Sequence, residues 1–305
     1  MKTAIIGPGA MGSLFGSLLT RAGKEIWLVG NRQEQVERIC SVGLTLEEKG
    51  KTQIVPMNAT ADIPSVGKAD LVIFFVKTYD IEEAVSDSLV LEKEDTIFLT
   101  LQNGLGNEEA ICKRINPRKV MLGITGHGAT LLEPGHIRHA GWGKTLIGEL
   151  DHRVTDRGFR VAQMFGEAGI DTEVSSNIHD QVWGKLLINV GINALTALTG
   201  FKNGQLLDHP ETVRLAEQLV SEAAAVARRK GVHLAEDPVE KVKKVAEATR
   251  ENRSSMGQDF DHRQRTEIDA INGAVVREAQ LLGIPVPFNQ AIVDLVKAIE
   301  KSFEW

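Results

Sequence analysis

Short apolar segments alternate with segments of helical spacing in the first half of the chain. Near-continuous runs of Val, Ile, Leu and Phe are typical of buried parallel strands, because both faces of such a sheet are covered. These runs predict strands over 2–7, 25–29, 71–76 and 96–101, with helices over 11–22 and 34–42. The alternation indicates a doubly wound parallel α/β sheet with right-handed crossovers.

The pattern of apolar and helical segments changes after residue 120. Gly- and His-rich segments separate short strand-like runs over 121–149, where we expect antiparallel strands to extend the sheet. From about residue 176 only helical spacing remains. It predicts helices over 178–198, 209–230, 238–251, 258–282 and 290–303. We therefore expect an α/β protein with an N-terminal Rossmann-type domain over 1–172 and an all-α helical domain over 173–305.

Composition narrows the function classes. The 305 residues are 42% apolar and 25% charged, as in ordinary globular proteins, and the net charge of −6 disfavours a broad nucleic-acid surface. Cys40 and Cys112 are too few for a disulfide framework and suggest reduced thiols. No secretory signal pattern is recognisable, and the longest apolar run, 71–76, is far shorter than a membrane span. We expect a soluble, cytoplasmic protein without a metal site, because its histidines are dispersed.

A glycine-rich turn follows the first predicted strand and opens the first predicted helix. It matches G-x-G-x-x-G in the context that the motif requires. Gly7 permits the tight turn, Gly9 lets a pyrophosphate approach the backbone, and Gly12 lets the helix pack closely on the sheet. The sequence therefore predicts a dinucleotide site made by Gly7, Pro8, Gly9, Ala10, Met11 and Gly12.

The residues that select the cofactor should lie about 20 positions further on. The sequence there reads Gly30-Asn31-Arg32, with no carboxylate until Glu34. A carboxylate would repel a 2′-phosphate, whereas an amide and a guanidinium would bind it. The alternative is a solvated turn before the second helix. We favour NADP over NAD, with Arg32 contacting the phosphate and Asn31 beside it.

Two further polar residues follow predicted strands. Lys77 comes after the run over 71–76, and Asn103 follows the run over 96–101. Ligands of open α/β sheets bind beyond the carboxyl ends of the strands, so both residues are candidates for contacting cofactor or substrate. A surface lysine and an Asn-Gly turn are equally acceptable interpretations from position alone.

Lys185, Asn189 and Asn193 form a polar stripe on an otherwise apolar predicted helix. Residues four apart differ by about 40° around a helix, so the three side chains share one face. Buried amides need partners, and a desolvated lysine can reach the pKa range of a proton donor. The stripe indicates a site for a small polar substrate, although it could instead satisfy a neighbouring loop.

A second polar cluster covers 253–273. Ser255 with Gln258 fits an ordinary S-x-x-Q capping box, and Glu267 could be an exposed helix carboxylate. Ser255 and Glu267 are twelve positions apart, a spacing that does not place them on one helix face. They could converge only if Ser255 lies at the mouth of the helix or before it.

In order and spacing these motifs are similar to those of the ketopantoate reductase, or 2-dehydropantoate 2-reductase, family, over essentially the whole chain. The resemblance implies NADPH-dependent reduction of 2-dehydropantoate to pantoate in pantothenate biosynthesis. It rests on residues 7–12, 77–78, 102–104 and 183–185, on Asn189 and Asn193, and on residues 254–256, 266–269 and 271–273.

The resemblance also implies roles for individual residues. Lys185 would be the proton donor and Glu267 a second catalytic residue that also contacts the cofactor. Asn103 would meet both cofactor and substrate, Lys77 would help to hold the cofactor, and the backbone at Ala129 would contact it. The substrate contacts would be Asn103, Lys185, Asn189, Asn193, Asn203 and Ser255.

Two other functions remain open at this point. A related NADP-dependent reductase would act on a different 2-oxo acid. A regulator would bind NADPH without turnover, but sensing alone needs no proton donor and the stripe over 185–193 is intact. In each case we expect no nucleic-acid or membrane partner. A homodimer through the apolar helical segment 213–226 is a further possibility.

Overall fold

A computed structural model of the chain describes residues 1–303 and contains two compact units. The first unit consists of Met1–Gln102 and Asn107–Ile178, and the second of Asn103–Gly106 and the chain from His179 onwards. The first is an α/β unit built on a mainly parallel sheet, and the second is helical. The predicted fold class is confirmed.

The strands belong to two sheets of the first unit. They are β1 (Thr3–Ile6), β2 (Ile26–Val29), β3 (Leu44–Glu48), β4 (Lys51–Val55), β5 (Asn58–Thr60), β6 (Leu71–Phe74), β7 (Ile97–Thr100), β8 (Val120–Thr125), β9 (Gly128–Glu133), β10 (His136–Gly141), β11 (Thr145–Glu149) and β12 (Thr172–Val174). The main sheet has eight strands in the order β12-β11-β8-β7-β6-β1-β2-β5, and only the β8–β11 pair is antiparallel.

Helices cover both faces of the main sheet. They are α1 (Ala10–Arg21), α2 (Gln33–Val42), α3 (Ile81–Ser88), α4 (Asn107–Cys112) and α5 (Asp156–Glu167). Along β1, Ile5 packs with the apolar faces of α1, α2 and α5, whereas Ala4 and Ile6 pack with those of α3 and α4. This alternation explains why the strands read as continuous apolar runs: each side chain is buried on one face or the other.

A second sheet was not predicted. It has four strands in the order β4-β3-β10-β9. Only β11 extends the main sheet as expected, pairing antiparallel with β8, so the expectation that the strands of 121–149 join one sheet is wrong for β9 and β10. The strand β9 pairs antiparallel with β10, and β10 pairs in parallel with β3, which forms a hairpin with β4.

Six helices form most of the described part of the second unit. The helices are α6 (Ile178–Thr199), α7 (Pro210–Arg229), α8 (Pro238–Ala248), α9 (Ser255–Asp261), α10 (Asn272–Leu282) and α11 (Pro287–Glu300). Among the described helices, α6 alone is long and apolar enough to cross a membrane, but most of it is buried inside the protein. It has the character of a core helix, because its apolar residues belong to the main cluster of this unit.

Two boundaries differ from the expected ones. The strand β12 lies across the expected division between 172 and 173, because it pairs in parallel with β11 of the main sheet. The helix expected over 258–282 is two helices. Arg263 adopts a left-handed backbone conformation with φ 52°, which ends α9, and a buried turn separates α9 from α10.

Candidate active site

The glycine-rich turn of the first unit has the geometry that its three glycines suggest. Gly7 has φ +102°, and a Cβ there would lie 2.7 Å from the Val76 nitrogen. A Cβ at Gly12 would lie 2.0 Å from the Gly7 oxygen. A side chain at position 12 would therefore prevent α1 from packing this closely on the turn. A Cβ at Gly9 would meet nothing within 4 Å. Gly9 therefore borders open space, as an approaching phosphate requires.

Two buried side chains hold this turn in place. Ser13 Oγ and Gln35 Nε2 each donate a hydrogen bond of 2.9 Å to the Pro8 carbonyl oxygen. Gln35 Oε1 in turn accepts from the Gly135 N–H at 2.8 Å. No side chain caps α1, whose N-cap is Gly9. The turn is thus fixed in the form that presents a helix N-terminus to an anion.

The segment after β2 has no room for a side chain at Gly30, its first residue, and exposes a polar and a basic residue directly after it. A Cβ at Gly30 would lie 2.2 Å from Pro8 Cδ, so the proline ring occupies the space of any side chain there. Asn31 and Arg32 are both exposed. Within residues 1–303 neither side chain forms a hydrogen bond or an ion pair. A guanidinium and an amide are therefore available at the mouth of this turn.

Lys77 and Ala129 belong to the same unit as the glycine-rich turn. Lys77 is half-buried and lies three residues after the end of β6. Gln102 Nε2 donates to the Val76 carbonyl at 2.8 Å, which ties the segments after β6 and β7 together. Ala129 lies in β9, opposite His139 of β10. Lys77 therefore stands at the carboxyl edge of the main sheet, whereas Ala129 belongs to the second sheet.

Asn103 belongs to the helical unit, although Gln102 before it belongs to the first. Leu105 N–H donates to the Ala270 carbonyl at 2.9 Å. Gly104 has φ +79°, and a Cβ there would lie 2.4 Å from the same oxygen. The loop 103–106 therefore packs closely on the turn before α10, which carries Glu267.

Lys185 is the central titratable group of the second unit. It is half-buried on α6, and burial lowers the pKa of its ammonium group to about 8, while the Glu267 carboxylate acts in the opposite direction. Glu267 itself is only 7% exposed. The interpretation of Glu267 as an exposed helix carboxylate is wrong, because the chain leaves the helix at Arg263 and buries this residue in a turn.

The two asparagines of the stripe lie on α6 with Lys185. The Nδ2 atom of Asn189 is buried and has no hydrogen-bond partner among the described residues. Asn193 is 6% exposed, and its Nδ2 lies 3.5 Å from Ser255 Oγ. An unpartnered buried amide is costly, so Asn189 is a candidate for contacting a polar ligand.

Ser255 is not the cap of its helix. The N-cap of α9 is Ser254, whose Oγ accepts from the Gly257 N–H at 2.9 Å. The capping-box interpretation of Ser255 with Gln258 is therefore wrong. Ser255 is the first residue of α9, and its hydroxyl faces Asn193, which satisfies the condition that it lie at the mouth of the helix.

Asn203 has partners of its own. Its Nδ2 donates to Thr249 Oγ1 at 2.9 Å, and its backbone N–H donates to the Asn252 carbonyl at 2.9 Å. Its Oδ1 atom is buried without a partner in the described part of the chain. These bonds tie the segment after α6 to the end of α8, and the predicted substrate contact of Asn203 stays a prediction.

Sequence reasoning missed the residues that support the site rather than form it. Gln35 and Ser13 hold the glycine-rich turn. In the sequence, only their places on the sheet-facing sides of the predicted helices could have indicated this role. Arg253 stood inside the cluster over 253–273, but nothing in the spacing indicated its contacts. Residues 1–303 contain no group of three or more His, Cys, Asp or Glu side chains that could hold a metal ion.

Two models of known families together match nearly the whole chain. The model described as "Ketopantoate reductase PanE/ApbA" matches residues 3–152, and the one described as "Ketopantoate reductase PanE/ApbA C terminal" matches residues 177–300. A Halobacterium salinarum protein named 2-dehydropantoate 2-reductase is 37% identical over 99% of this chain and 100% of its own. A Pyrococcus horikoshii protein of the same name is 38% identical over 98% of each chain.

Solved structures show the same similarity. A PanE/ApbA family ketopantoate reductase from Ralstonia eutropha JMP134 is 34% identical, with a TM-score of 0.92 and 99% of each chain covered. A ternary structure of D-mandelate dehydrogenase with NADH and anilino(oxo)acetate is 29% identical, with a TM-score of 0.94 and 99% of each chain covered. Fold, site and relatives define an oxidoreductase of the class that acts on CH–OH groups. Within that class, the chain belongs to the ketopantoate reductase family.

Proposed function

We propose that this enzyme reduces 2-dehydropantoate to pantoate with NADPH, and that Lys185 is the proton donor. The observation that carries the proposal is the stripe on α6. A lysine whose pKa is lowered to about 8 shares one helix face with Asn193 and with the unpartnered buried amide nitrogen of Asn189. The name of the Halobacterium salinarum and Pyrococcus horikoshii relatives supports the choice of substrate.

Lys185 would act at the ketone oxygen. Reduction of the ketone builds negative charge on that oxygen, so an adjacent ammonium stabilises the transition state and then delivers the proton from Nζ. A pKa near 8 keeps the amine mostly protonated at neutral pH and still makes it a better donor than an ordinary lysine. Glu267 would keep that pKa from falling further, since a nearby carboxylate favours the charged form.

The remaining polar groups would hold the rest of the substrate. A 2-oxo acid has a carboxylate, and 2-dehydropantoate has in addition a hydroxyl group. The amides of Asn103, Asn189 and Asn193 and the hydroxyl of Ser255 can donate to these oxygens without adding charge that would compete with Lys185. Asn203 is a weaker candidate, because its Nδ2 already binds Thr249.

The first unit would bind the NADPH. When bound, the nicotinamide of NADPH supplies the hydride that reaches the ketone carbon. The turn 7–12 would hold the pyrophosphate, since its Gly9 borders open space and no side chain caps α1. Lys77, Asn103, Ala129 and Glu267 are the proposed further contacts.

Cofactor selection would rest on the turn after β2. The Pro8 ring excludes any side chain at Gly30, which removes one position for the carboxylate that marks NAD sites. Arg32 and Asn31, exposed and without partners in residues 1–303, would bind the 2′-phosphate. The D-mandelate dehydrogenase complexes contain NADH, so the choice of nucleotide differs among similar folds and has to be measured.

A second candidate is the same chemistry on another 2-oxo acid. It is favoured by the D-mandelate dehydrogenase structure, whose TM-score of 0.94 is as high as those of the ketopantoate reductases and whose ligand is anilino(oxo)acetate. A regulator that binds NADPH without turnover is disfavoured by the lowered pKa of Lys185. With 2-dehydropantoate as substrate, the enzyme would serve pantothenate biosynthesis in the cytoplasm.

Turnover with a set of 2-oxo acids tests the proposal. The absorbance of NADPH, and separately of NADH, is followed with 2-dehydropantoate and with 2-oxo acids that carry alkyl or aryl groups. We expect the highest kcat/KM with NADPH and 2-dehydropantoate. A higher kcat/KM with an aryl 2-oxo acid would support the second candidate instead. Tight NADPH binding without oxidation on any of them would overturn both.

A further inference from the structure

Arg253 binds both the carboxyl end of α6 and the segment that follows this helix. Its Nη1 donates to the Thr196 carbonyl at 2.6 Å and to the Phe201 carbonyl at 2.7 Å. Thr196 lies in the last turn of α6, and its carbonyl oxygen also accepts from the Gly200 N–H at 3.0 Å. The positive charge also suits the negative end of that helix. One guanidinium nitrogen therefore holds the carboxyl end of the helix that carries Lys185, Asn189 and Asn193.

The other nitrogens of Arg253 hold α9. Its Nε and Nη2 donate to the two carboxylate oxygens of Asp261 at 2.9 and 2.8 Å, and Nη2 lies 3.3 Å from the Gly257 carbonyl. The Arg253 guanidinium also holds the pKa of the Asp261 carboxyl below its ordinary value. A Cβ at Gly257 would lie 2.7 Å from Arg253 Cζ, so the guanidinium is packed directly on the helix backbone.

The contacts around Arg253 fix the place of Ser255. The hydroxyls of Thr196 and Ser254 share a hydrogen bond of 2.6 Å, next to the point where Arg253 binds α6. Asn193 lies one helical turn before Thr196, and Ser255 follows Ser254. The 3.5 Å separation of Asn193 Nδ2 and Ser255 Oγ is thus determined by how α9 is attached to α6.

We propose that Arg253, paired with Asp261, is a positioning residue that sets the affinity for the 2-oxo acid by holding Ser255 opposite Asn193. The inference rests on the proposed function, in which Asn193 and Ser255 contact the substrate. Arg253 itself touches neither substrate nor cofactor. It acts through Ser255, so its effect on substrate binding requires the Ser255 hydroxyl.

The planar fork of arginine is what this position needs. Two parallel bonds to a carboxylate and three bonds to carbonyls require donors in a fixed plane, which a lysine ammonium cannot supply from the same place. Arg253→Lys keeps the charge and most of the apolar stem, so the fold is expected to persist while α9 loses its defined attachment. Asp261→Asn weakens the same clamp from the other side and serves as a second variant.

A double-mutant cycle tests the inference on the full-length enzyme. KM for the 2-oxo acid, KM for NADPH and kcat are measured for the wild type, Arg253→Lys, Ser255→Ala and the double variant. We expect each single variant to raise the 2-oxo acid KM roughly fivefold or more, with KM for NADPH unchanged. In the Ser255→Ala background, Arg253→Lys should add less than about twofold.

The outcomes separate the inference from the proposed function. If Ser255→Ala raises KM and Arg253→Lys adds its full effect on top, Arg253 does not act through Ser255 and the inference is overturned. If Ser255→Ala leaves KM unchanged for every 2-oxo acid that the enzyme turns over, the substrate role of Ser255 is wrong, and the inference falls with it. Arg214→Ala, which breaks an exposed pair with Glu211 on α7, is the matched control and should change none of these constants.

Discussion

The buried carboxylate of Glu267 counteracts the effect of burial on the Lys185 ammonium. Burial lowers the pKa of Lys185 to about 8, and Glu267 raises it. The two residues come from α6 and from the turn before α10, which are 82 positions apart in the sequence. The resulting pKa would suit the proposed role of Lys185 as a proton donor near neutral pH. Burial of the amine costs folding stability, because a charged group is held away from water, and Glu267 offsets part of that cost.

Replacing Lys185 by methionine should separate activity from stability. We expect kcat to fall by about 10²–10⁴-fold, the usual contribution of a positioned proton donor, while NADPH binding persists. The melting temperature should rise. A lysine with a lowered pKa destabilises the folded state at pH values below about 8, so the gain is largest there and declines toward pH 10.

Steady-state kinetics and thermal melts at pH 7 and 10 check this result. Lys241→Met, which removes a partly exposed lysine of α8 that pairs with Glu236, is the matched control. Unchanged kcat in Lys185→Met would exclude the donor role. A lower melting temperature at pH 7 would show that the buried charge of Lys185 does not destabilise the folded state.

Asn189→Leu should stabilise the protein and weaken substrate binding. The Nδ2 atom of Asn189 is buried without a partner in the described residues, and such an atom costs about 1–3 kcal/mol. Leucine removes it at similar volume. We expect a higher free energy of unfolding in urea and a roughly tenfold higher KM for the 2-oxo acid. A less stable variant would mean that the amide already has a structural role.

Gly9 and Gly12 should respond differently to the same substitution. A Cβ at Gly9 meets nothing within 4 Å, whereas one at Gly12 would lie 2.0 Å from the Gly7 oxygen. Gly9→Ala is therefore expected to keep the melting temperature and to raise the Kd for NADPH, because the methyl group occupies the proposed phosphate space. Gly12→Ala should lower the melting temperature itself. Equal effects of the two variants on nucleotide binding and stability would contradict this assignment.

Arg32→Ala should change nucleotide preference without changing chemistry. A lost charge-assisted bond to the 2′-phosphate is worth about 1.5–3 kcal/mol, so KM for NADPH should rise roughly 10- to 100-fold while KM for NADH stays the same. Arg160→Ala, an exposed arginine on α5, is the control. If Arg32→Ala weakens NADPH and NADH equally, Arg32 does not contact the 2′-phosphate.

Local patterns predicted much of the fold. The continuous apolar runs predicted β1, β2, β6 and β7, because these strands are covered on both faces. The second sheet escaped prediction, since β3 and β4 are short, partly exposed strands and the partner of β3 in β10 lies 91 residues further along the chain, as in the pair of Thr45 with His136. The break between α9 and α10 also escaped, because Arg263 rather than a glycine adopts the left-handed conformation that ends α9.

In the candidate site, too, the features that are local in sequence were predicted, and those that depend on contacts between distant segments were not. The stripe over 185–193 and the turn over 7–12 are local in sequence, so periodicity and spacing were enough to indicate them. The burial of Glu267 and the attachment of Ser255 to α6 through Ser254 depend on contacts between distant segments. The membership of residues 103–106 in the helical unit likewise follows from a bond to Ala270 that no local pattern contains.

Whether Lys185 is the proton donor is tested by the pH dependence of kcat/KM for 2-oxo acid reduction, measured in the wild type and in Glu267→Gln. The donor must be protonated, so kcat/KM should be constant at low pH and fall above about 8. Glu267→Gln removes the charge that raises the pKa of Lys185, and the falling limb should move to lower pH. Glu278→Gln, which lies in a pair with Lys230, should leave the limb in place. A wild-type profile without a limb near pH 8, or a Glu267→Gln profile that is unshifted or moved upward, would contradict Lys185 as the proton donor.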